Sequence, residues 1–141
     1  MKLPGFSVAV ERDEVSSFAR AIGENRGEYH DIEAAHALRL PDLATPPTFL
    51  FALEFRRPQP YLALELLGAP VSAILHAEQG FDHQHPTYAG DRLDFFPQVD
   101  DYYEKAAGRL GFLRRRTDIV RDGQTVARLS NLVAIRWDRV A

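Results

Sequence analysis

Glu24, Tyr29 and His30 place a carboxylate, a phenol and an imidazole on one short stretch, GENRGEYHD, that opens on a glycine. General acid–base chemistry needs one group to take a proton and another to give one. Both must lie within hydrogen-bond reach of the reacting atoms. A phenol, with a reference pKa of about 10, exchanges protons poorly at neutral pH. His30 adjoins Tyr29, but neighbouring residues of a loop or helix start point in different directions. Further along, Thr45-Pro46-Pro47-Thr48-Phe49 leads into an apolar run. A helix start offers backbone N–H groups to developing negative charge, yet Pro47 has no N–H to give. The amide and hydroxyl of Thr48 are left for that purpose, unless the proline pair simply opens a buried helix.

Among the elements that must hold these residues, Phe6–Val10 reads as a short β-prone start. Val15, Phe18, Ala19 and Ile22 then fall at i, i+3, i+4 and i+7, one stripe of a helix that Gly23 stops. Asp31 suits the N-cap of a second short helix over residues 31–38, closed by Pro41. From Thr45, Phe49, Leu50, Phe51, Leu53 and Phe55 are apolar nearly all round, the profile of a helix inside a core. Leu62–Leu67 is a further short helix or a structured loop. From Ala73 onward four runs have β composition: AILHAEQGFDHQ, RLDFFPQVDDYYE, RLGFLRRRTDIV and TVARLSNLVAIRW. Asp122-Gly123 between two of them suits a type I′ hairpin turn. Lys105–Gly111 is a second hairpin candidate, and Pro86–Asp91 a connecting turn. Helices first and strands afterwards predict an α+β fold with one antiparallel sheet.

A chain of 141 residues buries most of its unfolded surface around a single core, so one domain over residues 1–141 is expected. With 45% hydrophobic and 26% charged residues and a net charge of −3, it reads as globular and lacks the basic excess of a nucleic-acid binder. No cysteine is present, which excludes disulfides, thiolate metal sites and thiol nucleophiles. MKLPGFSVAVERDE has no apolar run of the length a signal peptide requires, and no stretch approaches transmembrane length. A cytoplasmic location without a membrane partner is the expectation.

The order of these segments resembles the MaoC-like dehydratases of the hotdog fold. The likeness is closest to the N-terminal, non-catalytic halves of double-hotdog (R)-3-hydroxyacyl thioester dehydratases. VSSFARAIGENRGEYHD, LATPPTF, LHAEQGFDHQHPTYAGDRL and VARLSNLVAIR carry it. The resemblance implies a long central α-helix wrapped by a curved antiparallel β-sheet, with sheets joined edge to edge in a dimer and active sites at the interface. It also implies reversible hydration of a trans-2-enoyl thioester of coenzyme A or acyl carrier protein, with no cofactor. Active members carry Gly-Asp-x-Asn-Pro-x-His. Here Gly23 keeps the glycine, Glu24 stands for the aspartate, Arg26-Gly27 for Asn-Pro, and Tyr29 for the histidine. Glutamate is one methylene longer, and a misplacement of about 1 Å can cost on the order of a hundredfold in rate. Pro47 falls where members commonly present a glycine N–H. On this reading Glu24, Tyr29 and His30 mark the degenerate catalytic positions, and Thr45, Thr48 and Phe49 border the acyl-binding side.

The expectation is an acyl-thioester-binding subunit of a dehydratase or hydratase, a homodimer or a heterodimer with a catalytic hotdog subunit, with hydro-lyase activity only in the complex. Two alternatives stand beside it: a hotdog thioesterase using Glu24 to activate water, and a binding module without chemistry. His76, His83 and His85 do not make a metal site on this reading, because His76 falls in the opposite strand phase and no cysteine joins them. Arg114-Arg115-Arg116 could meet phosphates, but alternation on a strand splits the run and favours an ordinary outer face. Phe49, Phe51, Phe55, Phe95 and Phe96 are core residues or the wall of an acyl tunnel.

Overall fold

The structure is a computed structural model that describes residues 1–140. Strand β1 (Phe6–Ala9) leads into helix α1 (Arg12–Ala21), a 3-10 turn (Gly27–Tyr29) and helix α2 (Ile32–Ala37). Two more short helices follow, α3 (Phe49–Glu54) and α4 (Leu62–Leu66). The chain then runs through strands β2 (Ile74–His83), β3 (Arg92–Lys105), β4 (Leu110–Arg121) and β5 (Gln124–Arg136). All five strands form one antiparallel sheet in the order β1-β3-β4-β5-β2. This is the expected α+β architecture, a sheet covered by a buried helix.

Helix α1 buries Val15 and Ala19 and packs Phe18 edge-on against Phe49 of α3 at 5.4 Å. The predicted stripe ends early, since Ile22 is a 53% exposed C-cap. Asp31 caps α2 as its residue type predicts, accepting the Glu33 N–H at 3.1 Å. The central helix departs from the resemblance: α3 has only six residues. Pro58 and Pro60 explain the break, because each lacks an N–H and disfavours helical conformation in the residue before it. The chain resumes helical structure only at α4.

Directly paired residues of an antiparallel sheet share a face, so the register shows what lies beneath the helices. On β4 the inward positions are Leu113, Arg115, Thr117 and Ile119, opposite Val133, Asn131, Leu129 and Ala127 of β5. One apolar cluster gathers Phe49, Leu50, Leu53, Leu93, Phe95, Ile119 and Leu129 under α1 and α3. A second gathers Leu64, Leu113, Val133 and Ile135 under α4. Between them Arg115, Thr117 and Asn131 form a polar belt that the sequence reading did not anticipate.

The hairpin turns sit where expected. Asp122 and Gly123 both take positive φ, 50° and 77°, as a type I′ turn demands. In the β3–β4 turn the left-handed residues are Ala106 (φ 56°), Ala107 (φ 54°) and Gly108 (φ 79°). The Pro86–Asp91 connection is closed by the Asp91 carboxylate, which accepts the Tyr88 N–H at 2.9 Å and pairs with Arg121 at 2.6 Å. Among the described residues no helix is long and apolar enough to cross a membrane.

Candidate functional site

At the end of α1 the chain reverses through Gly23 (φ 77°), and the Glu24 N–H returns to the Ala19 carbonyl at 2.8 Å. This turn presents the Glu24 side chain to Arg26. The carboxylate accepts from the Arg26 backbone N–H at 3.1 Å, from Nε at 3.0 Å and from Nη2 at 3.1 Å. Those hydrogen bonds favour the ionised form and hold Glu24 below the usual carboxylate range. Arg26 Nη2 also donates to the Tyr29 hydroxyl at 3.2 Å, and the guanidinium lies 5.3 Å from the centre of the Tyr29 ring. Tyr29 itself is 8% exposed. Thus Glu24 and Tyr29 are bridged by one arginine.

His30 points the other way. Its Nε2 lies 2.7 Å from the Glu24 backbone oxygen and its Nδ1 lies 2.7 Å from Ser16 Oγ. A carbonyl only accepts, so Nε2 carries a hydrogen and donates to it, while Nδ1 shares a hydrogen bond with the Ser16 hydroxyl. Arg20 Nη1 completes the chain by donating to Ser16 Oγ at 3.0 Å. One ring nitrogen closes the loop on itself at Glu24 and the other ties it to Ser16 of α1.

A second group of residues surrounds the start of α3. Thr45 donates its N–H to the Thr87 oxygen at 3.1 Å, and the two threonine hydroxyls meet at 2.6 Å. The Ala44 N–H reaches the Glu28 oxygen at 3.0 Å, joining this segment to the Glu24–Tyr29 loop. Beside it opens a cleft of about 360 Å³ lined by Ala44, Thr45, Pro47, His83, His85 and Thr87. Thr48 is exposed next to Pro47, whereas Phe49 is 2% exposed and belongs to the core. Of the anticipated binding residues, Thr45 lines the cleft, and Thr48 and Phe49 do not. Glu24, Tyr29 and His30 form a neighbouring group that does not line it.

Three features escaped the sequence reading. Thr87, His83 and His85 reach the cleft because the connection after β2 folds back on the Thr45 segment, with an Ala44–Tyr88 bridge between them. His76 shares the inward face with His83, contrary to the expected phase, because a bulge between His76 and Glu78 shifts the register. Arg115 is not on an outer face; it is turned inward and donates to Asn131 Oδ1 at 3.2 and 2.7 Å. Among the five phenylalanines, Phe49 and Phe95 are core, while Phe55 and Phe96 are 44% and 53% exposed.

An antiparallel sheet packed on a short buried helix, with a cleft between that helix's start and the turn after β2, defines a hotdog domain. The chain belongs to the family described as FAS1-like, dehydratase domain region, which matches residues 1–129. It is 31% identical over 125 residues to a UPF0336 protein of Streptomyces avermitilis, covering 89% of this chain and 83% of that protein. A UPF0336 protein of Streptomyces coelicolor is 39% identical over 84 residues, which span 60% of this chain and 56% of that protein. The fold is shared with the HadBC (3R)-hydroxyacyl-ACP dehydratase complex of Mycobacterium tuberculosis (TM-score 0.75, 24% identity, 94% of this chain and 92% of that chain). A MaoC-like dehydratase superposes with TM-score 0.80 at 22% identity, covering all of this chain (100%) and 42% of the other.

Proposed function

We propose that this chain, as one hotdog domain, is the acyl-thioester-binding subunit of an (R)-3-hydroxyacyl-CoA or -ACP dehydratase, with the proton-transfer pair supplied by a partner hotdog subunit. One observation carries the reading: the groups at the acid and base positions are engaged with each other and not with the cleft. Glu24 is held ionised by Arg26, Tyr29 is bridged by the same arginine, and His30 spends one nitrogen on its own loop and the other on Ser16 of α1. A base whose pKa is lowered by a fixed cation is a weaker base. The same pairing disfavours a thioesterase that would use Glu24 to activate water.

The cleft itself suits a shared site. His83 is the last residue of β2, and β2 is an edge strand with its second side unpaired within the sheet. A second sheet continuing across that edge would close the cleft opposite Thr45 and Thr48. Structural relatives include complexes of two kinds of subunit, HadBC and ChsH1–ChsH2, which supports a heteromeric arrangement. In such a site Thr45, Thr48 and Thr87 would border the thioester, while the partner carries the aspartate and histidine.

The test is assembly and activity together. Coexpression with a hotdog subunit bearing an intact Gly-Asp-x-Asn-Pro-x-His loop should yield a stable complex that hydrates short trans-2-enoyl thioesters. A chain that remains separate from every such subunit, or that releases free thiol without hydrating the double bond, refutes the proposal.

A further inference from the structure

The polar belt between the two apolar clusters holds more positive than negative charge. Glu54 of α3 is 7% exposed and Arg57, just beyond the helix, is 9% exposed. The Glu54 carboxylate accepts from the Thr117 hydroxyl, and Arg57 Nη1 lies 3.8 Å from its Oε1. Arg115 brings a second guanidinium to the same place and uses Nε and Nη2 on Asn131. Asn131 Nδ2 in turn donates to Gln79 Oε1 at 3.1 Å. Two guanidiniums against one carboxylate leave one uncompensated positive charge. Arginine stays protonated in proteins, so this charge must be balanced or endured.

The unbalanced side is visible in the geometry. Arg57 Nε is buried and has no hydrogen-bond partner among the described residues. A small cavity is lined by Arg57 and Arg115 together with Leu3, Pro58, Leu62 and Pro97, and Glu54 does not line it. Its volume of about 20 Å³ exceeds the roughly 10–15 Å³ needed for one water, so it can admit a single small ion. Burial pushes the Arg115 guanidinium down to about 10, and its neighbour Arg57 adds to the effect. Arg57 is shifted down as well, first by burial. A pair of desolvated cations with an open donor beside a small void has the chemistry of a site for a small anion such as a halide.

We propose that the cavity between Arg57 and Arg115 binds a single small monovalent anion of halide size, which neutralises the belt and fixes the Pro58-Gln59-Pro60 break between α3 and α4. A ligand that binds only the folded state raises the unfolding midpoint with its concentration. The midpoint of the purified chain should therefore be higher in sodium chloride than in sodium gluconate at equal ionic strength, and should climb with the logarithm of chloride. Crystals grown in sodium bromide should show an anomalous peak within hydrogen-bond distance of both guanidiniums. Arg57→Met should remove the difference between the two salts. Equal midpoints in chloride and gluconate, or bromide crystals whose cavity holds only a water without anomalous signal, would overturn the proposal. The wild-type diffraction result stands whether or not the variant folds.

Discussion

On the proposed reading Glu24 and Tyr29 were legible in the sequence as candidate acid–base positions. The contact that engages them was not legible. Arg26 reaches Glu24 only because Gly23 takes a positive φ and turns the loop back. Arg115 shows the same limit, since alternation separates it from Arg114 and Arg116 without saying which face the helices cover. For Glu24 the consequence is a pH dependence of definite sign. Its folded pKa is depressed by Arg26, so the stabilising contact is fully present above the ordinary glutamate range and is lost as pH falls through the lower folded value. Carboxyl-detected NMR titration should place Glu24 below an ordinary glutamate, and Arg26→Ala should return it to the usual range. A Glu24 that titrates above that range would mean that burial, and not the arginine, governs it.

Among the elements, legibility followed how openly each residue type declares its backbone. Asp122-Gly123 announced its turn because aspartate and glycine tolerate positive φ, and the structure has that turn. Ala106 and Ala107 announced nothing, since alanine rarely occupies the left-handed region, where an L-residue pays about 1–2 kcal/mol. Glycine there would relieve that strain at some cost in unfolded-chain entropy. Ala107→Gly should consequently raise stability by about 0.5–1 kcal/mol in chemical denaturation, and a loss of stability would show the turn to be unstrained. The Pro86–Asp91 turn depends on a side chain instead. Asp91 binds both Tyr88 N–H and Arg121, so Asp91→Ala should destabilise the protein by about 2 kcal/mol, as for other hydrogen bonds to a charged group. The same denaturation measurement checks it, and an unchanged midpoint would contradict it. Bulges are the elements least visible in sequence: the one after His76 placed two histidines on a common face against expectation.

At the scale of the whole molecule, the order of helices and strands carried the architecture, and the proline-broken α3 and the charged belt beneath it are the local departures. Five strands leave β2 at one edge, and the cleft opens beside that edge. The molecule therefore has a cleft near its own helix start, while Glu24 and Tyr29 are engaged by Arg26 in a separate loop. The rate of trans-2-enoyl thioester hydration, measured for the purified chain alone and then with a hotdog subunit carrying the aspartate and histidine, tests this division of labour most directly. Turnover should stay at background for the chain alone and appear in the complex. Strong turnover by the isolated chain, abolished by Glu24→Gln, would contradict the account.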